Sequence, residues 1–87
     1  MTYQIELTKA AKKALTALLP EPVAVACWEF IRGPLADDPY RVGKPLRGQL
    51  KGRHSARRGE FRVIYQIFDE RVVVRVIHIA HGRDVYR

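Results

Sequence analysis

The residues from Phe61 to Ile79 constrain this chain more than any others. In FRVIYQIF, Phe61, Val63, Tyr65 and Ile67 alternate with Arg62, Ile64, Gln66 and Phe68, the two-residue period of a strand with unlike faces. Asp69 and Glu70 supply a turn, and Val72 to Ile79 is then almost wholly β-branched, with Arg75 its main interruption. Two such runs across a short polar turn make an antiparallel hairpin. The rest of the chain must cover one of its faces.

The first third provides that cover. Tyr3, Ile5 and Leu7 alternate with Gln4 and Glu6, a short half-buried strand. Thr8 offers its hydroxyl as an N-cap, after which Ala11, Ala14, Leu15, Leu18 and Leu19 recur at helical spacing with Lys9, Lys12 and Lys13 on the other face. Pro20 and Pro22 break that helix, and Pro22 suits the first turn of a second one. Val23, Ala24, Cys27, Trp28 and Ile31 carry the period to Gly33, where Pro34 should stop it. Trp28, Phe30 and Cys27 read as core. Gly33 to Pro45 reads as an irregular connection, and Leu50 to Ala56 as a strand ahead of the hairpin.

The expected fold is therefore α+β: one mainly antiparallel four-stranded sheet with an N-terminal helical hairpin packed on one face, in the order β-α-α-β-β-β. Residues 1–87 form a single domain. If Phe61, Val63, Tyr65 and Ile67 face the helices, Arg62 projects onto the opposite, open face.

Composition agrees with a folded domain, at 47% hydrophobic and 29% charged residues. Cys27 stands alone, so no intrachain disulfide forms and a reducing compartment is the simpler setting. The opening MTYQIELTKA lacks the apolar run of a signal peptide, and no segment approaches the roughly 18 apolar residues of a membrane span. A cytoplasmic protein without membrane association is expected.

Sixteen Lys and Arg against nine Asp and Glu give a net charge of +7. Arg41, Lys44, Arg47, Lys51, Arg53, Arg57, Arg58 and Arg62 all fall between positions 41 and 62, where Glu60 is the only acid. That segment holds the whole excess, and the remainder is neutral. Arginine outnumbers lysine in it six to two, which favours a partner with phosphate or carboxylate oxygens that a guanidinium grips with two prongs. Nucleic acid is the commonest such partner, and an acidic peptide the second.

No Gly-rich phosphate loop, zinc-finger spacing or Ser-His-Asp arrangement is present. His78 and His81 lie three apart, but the surrounding arginines repel cations, so neither a metal nor a cofactor is expected. What remains is Arg57, Arg58 and Arg62 with the terminal His81, Arg83, Tyr86 and Arg87. Such a set suits metal-independent RNA cleavage, in which the 2′-hydroxyl attacks the adjacent phosphate. That reaction needs cations around a charged pentacovalent state and proton transfer at two oxygens. His81 is a candidate proton carrier, because a free imidazole titrates near about 6.5. Tyr86 can stack on a base or bond a phosphate oxygen. Arg47, Lys51, Arg53, Arg58 and Arg87 are candidates for holding the RNA backbone.

The runs LRGQLKGRHSARRGEFRVIYQI and IHIAHGRDVYR, with Gly52, Arg57, Gly59, Arg62, Tyr65, Arg83 and Tyr86 in order, resemble the RelE/ParE toxin superfamily of bacterial type II toxin-antitoxin pairs, and specifically its RelE branch. The resemblance spans nearly the whole chain. It implies a toxin that enters the ribosomal A site, cuts mRNA there as an endoribonuclease and arrests translation. It also implies a cognate protein antitoxin that masks the basic face. By the same resemblance Arg62 stabilises the transition state, Arg83 assists the leaving group and Tyr86 orients the nucleotide. Arg57 falls on a basic position that is often lysine and is suggested as the base, a task a guanidinium performs badly. His81, and less so His54, stand in as proton carriers. Two alternatives remain open: a ParE-type toxin that inhibits DNA gyrase by contact, and an inactive module that only binds its antitoxin or nucleic acid.

Overall fold

The computed structural model describes residues 2–81. Among these the chain runs β1 (Gln4–Leu7), α1 (Lys9–Lys13), α2 (Glu21–Phe30), β2 (Lys44–Pro45), β3 (His54–Arg58), β4 (Phe61–Phe68) and β5 (Val73–His81). The sheet order is β1-β5-β4-β3-β2. β1 pairs with β5 in parallel, and the other neighbours are antiparallel.

This is the expected α+β architecture with three corrections. The sheet has five strands rather than four, because the two residues of β2 pair with β3 through Lys44–Ser55 and Pro45–His54. The strand before the hairpin is not Leu50 to Ala56. It starts at His54, since Gly48–Leu50 form a 3₁₀ turn that reverses the chain between β2 and β3. Pro34 does not stop the second helix: α2 continues as a wider π-helical turn over Ile31–Leu35, with Pro34 inside it. Ile31 and Leu35 are both fully buried, so packing on the sheet outweighs the lost N–H of the proline.

Thr8 caps α1 as its chemistry predicts, its Oγ1 accepting from the Ala11 N–H at 3.2 Å. The same hydroxyl donates to the carbonyl of Ile77 at 2.6 Å. That carbonyl belongs to a β-bulge, because Ile64 lies opposite His78 while Tyr65 lies opposite Val76, leaving Ile77 as the extra residue. The consequence is large. Before the bulge Val74 and Val76 point into the core, and after it Ile79 does, so the side chains from His78 to His81 have changed faces.

The core lies between the helices and one face of the sheet. Ala11, Ala14, Cys27, Ile31 and Leu35 pack on Ala56, Val63, Tyr65, Val74, Val76 and Ile79, with Phe61 and Ile67 at its margin. The alternate residues of β4, beginning with Arg62, therefore occupy the face turned away from the helices.

Candidate active site

β3 and β4 are joined by only Gly59 and Glu60. Gly59 takes φ 62, the left-handed backbone that a tight two-residue hairpin loop demands and glycine adopts freely. That loop fixes a register in which Arg57 lies directly opposite Arg62. Two like charges in facing positions destabilise a sheet. The Nε of Arg57 donates to the Gly59 carbonyl at 2.9 Å, which ties its guanidinium to the hairpin loop.

One row further on, Lys44 of β2 lies opposite Ser55 of β3, which lies opposite Ile64 of β4. Lys44, Ser55, Arg57 and Arg62, together with Arg41, Val42 and Gly43 of the connection that follows the helices, line one cavity of about 380 Å³. Its charged members are all cations. An anion entering it would replace repulsion by charge-assisted hydrogen bonds, and the geometry suits a phosphate gripped from several sides.

The candidates named from sequence are distributed unevenly. Arg57 and Arg62 share the cavity. Arg58 does not: it lies opposite Phe61, on the helix side, where it lines a hollow with Cys27. Burial raises the Cys27 thiol pKa, and the nearby Arg58 charge partly offsets that rise. Arg47 and Lys51 are exposed on either side of the 3₁₀ turn, and half-buried Arg53 leads into β3. His81 lies opposite Phe61, with the rings edge-on at 5.6 Å and its Nε2 3.9 Å from a Glu60 carboxylate oxygen. It therefore stands on the helix side, across the sheet from Arg57 and Arg62. His78 lies opposite Ile64 on the open side, so the two histidines cannot converge. Among the described residues no group of three metal-ligating side chains occurs. Arg83, Tyr86 and Arg87 fall outside the described residues.

His54 stacks on Tyr65 at 5.5 Å and meets the edge of Tyr40 at 5.8 Å. Its Nδ1 is buried with no hydrogen-bond partner among the described residues, and burial lowers its pKa. Arg41 and Lys44 were missed as site residues. Both belong to the basic segment, but nothing in the local sequence shows that β2 folds back onto β3.

A larger, apolar groove of about 580 Å³ lies elsewhere, on the helices, lined by Leu7, Leu15, Leu19, Ala24, Val25 and Trp28. Its size does not make it the chemical centre, since it gathers no cluster of one charge. Val25 and Trp28 are 54% and 38% exposed there.

Comparison with known proteins identifies the family. Residues 5–86 match the family described as the ParE toxin of the type II toxin-antitoxin system parDE. The chain is 49% identical over 85 residues to Toxin RelE of Mycobacterium tuberculosis, covering 98% of this chain and 87% of that one. It is 44% identical to Toxin RelG of the same organism, covering 100% and 99%. The crystal structure of the M. tuberculosis RelBE2 toxin-antitoxin complex contains a chain that superposes with a TM-score of 0.89 at 40% identity, covering 97% of this chain and 95% of that one. A chain of the archaeal RelE-RelB complex from Pyrococcus horikoshii superposes at 0.73 with 26% identity, covering 98% and 100%. The chain belongs to the RelE/ParE family, as a RelE-type toxin of a type II toxin-antitoxin system.

Proposed function

We propose that this toxin is a ribosome-dependent mRNA endonuclease whose reacting phosphate sits in the cavity between β2, β3 and β4. The observation that carries the reading is the convergence of Arg41, Lys44, Arg57 and Arg62 on one concave site, with Arg57 and Arg62 in facing register. Four cations gathered around one concavity are the arrangement that a bound phosphate needs. The 2′-hydroxyl of the message attacks its own 3′ phosphate, the bond to the 5′-oxygen breaks, and a 2′,3′-cyclic phosphate results. Arg57 and Arg62 bind the equatorial oxygens, where negative charge accumulates.

Proton transfer falls to Lys44. Of the four cations it is the one whose head group exchanges a proton readily; a guanidinium does so only above about pH 12. Its ammonium gives a proton to the departing 5′-oxygen, solvent water accepts the proton that the attacking 2′-hydroxyl loses, and the lysine is reprotonated from solvent before the next turnover. The family resemblance adds Arg83 at the leaving group and Tyr86 orienting the nucleotide, and the charge of Arg47, Lys51 and Arg53 suits the RNA backbone.

The partners follow. A protein antitoxin binds the toxin, since relatives were solved as a toxin-antitoxin complex and a RelE-RelB complex, and the apolar groove on the helices is the surface best suited to hold one of its helices.

The test is induction without antitoxin, followed by primer extension on a reporter message. Wild type should give cuts inside codons and stop protein synthesis, and Arg62→Ala should lose the cuts while remaining folded. The family match to ParE favours one other reading, inhibition of gyrase. Loss of DNA synthesis with intact message would select it and reject cleavage.

A further inference from the structure

The cavity is lined from two sources of unequal regularity. Ser55, Arg57 and Arg62 lie on the β3–β4 hairpin, whereas Arg41, Val42 and Gly43 lie in an irregular connection that ends in the two residues of β2. Something must hold that connection against the sheet, or its two cations contribute nothing to a preformed site.

The holding group is Tyr65. It is fully buried on β4, and so is Pro39 at the start of the connection. The Tyr65 hydroxyl donates to the Pro39 carbonyl at 2.5 Å. Burial, then the nearby Asp38 carboxylate, push that hydroxyl well above its ordinary pKa, so it remains a donor. At the other end of the connection a Cβ on Gly43 would fall 2.2 Å from the Tyr65 oxygen and 2.8 Å from the Ser55 carbonyl. Glycine is required there for close approach. One phenol thus touches the segment on both sides of Arg41. Outside it, Tyr40 donates to Asp69, which also accepts from Tyr3 at 2.7 Å; the connection is clamped from within and from the rim.

We propose that Tyr65 is a positioning residue of the anion site: by holding Pro39 and Gly43 it sets Arg41 and Lys44 against Arg57 and Arg62. The inference rests on the RNA reading above. It assigns to a core tyrosine a role in preorganisation, where small displacements cost binding and rate.

The experiment measures binding of a short single-stranded RNA, 2′-O-methylated so that it cannot be cut, as a function of salt. The proteins are wild type, Tyr65→Phe, Gly43→Ala, Arg41→Ala and the Tyr65→Phe/Arg41→Ala pair, each checked for folding by circular dichroism. Each phosphate contact contributes a slope of about −0.7 in log affinity against log salt. Tyr65→Phe and Gly43→Ala should each flatten the slope by up to about 1.4, the share of two contacts. Arg41→Ala should weaken wild type and leave Tyr65→Phe unchanged. A purely structural tyrosine would not produce that non-additivity. A wild-type slope in Tyr65→Phe, or an Arg41→Ala penalty equal in both backgrounds, overturns the proposal. If Tyr65→Phe does not fold, Gly43→Ala, which forces the connection and the phenol apart without removing the hydroxyl, decides on the slope alone. Salt-indifferent binding by wild type would instead remove the RNA reading and this inference with it.

Discussion

On one side of β4, Val63 and Tyr65 are shut off from solvent beneath two helices; on the other, Arg62 stands opposite Arg57 at a cavity wall. The same strand serves both, one residue out of phase. The helix side is specified by packing, where volume decides, and the open side by charge held in register, where position decides. Tyr65 apart, whose hydroxyl reaches the connection that carries Arg41, a change on the first side should be felt as lost stability and on the second as lost chemistry. The comparison is useful because it can be broken.

The largest effect is expected on the packed side. Ile79 is 3% exposed and lies opposite Val63, so Ile79→Ala should cost about 2–5 kcal/mol through the cavity it leaves. Denaturant unfolding measures it. RNA cutting per folded molecule should be unaltered; a specific activity that fell with stability would mean that the two sides are not separable.

On the open side, Lys44→Arg keeps the charge and removes the readily exchanged proton. Message cutting should fall by about 10²-fold or more, the usual contribution of a proton carrier, while the salt slope of RNA binding and the unfolding midpoint stay at wild-type values. If His81→Gln abolishes cutting and Lys44→Arg does not, the proton carrier sits at the end of β5 and the open side alone does not make the site.

How much of this division was legible in the sequence depends on range. The β4 alternation gave its two faces directly, because a strand's period is local. The clustering of base between 41 and 62 marked the charged segment for the same reason, and Thr8 was readable as a cap. The faces of β5 were not readable. A bulge at Ile77, whose carbonyl accepts from Thr8, puts His78 on the open side and His81 on the packed one. That contact joins residues 69 positions apart. The parallel pairing of Gln4 with Val73 is equally remote. β2 was hidden for the opposite reason: Lys44 and Pro45 carry no strand signal of their own, and only the edge of β3 makes them a strand. Arg41 and Lys44 entered the site through that pairing.

His54 tests the seam between the two sides with the smallest effect. It leads β3, stacks on Tyr65 and touches Tyr40, so it lies beneath the connection that carries Arg41. Its pKa is lowered from 6.5 by burial, and its Nδ1 lacks a partner among the described residues. The unfolded chain therefore binds a proton that the folded chain resists. Stability from this group is complete above about pH 6.5 and declines as pH falls through the unfolded value toward the lowered folded one. The slope cannot exceed about 1.4 kcal/mol per pH unit, the limit for one proton. Asp69, held low by hydrogen bonds from Tyr40 and then Tyr3, adds its own loss only as pH drops through 3.8, in a separate window. Urea midpoints between pH 7.5 and pH 5 should thus fall for wild type and fall less for His54→Phe, which keeps an aromatic ring against Tyr65. Equal slopes in the two proteins would mean that protonated His54 finds solvent easily, and that the connection above it is looser than its contacts with Tyr65 require.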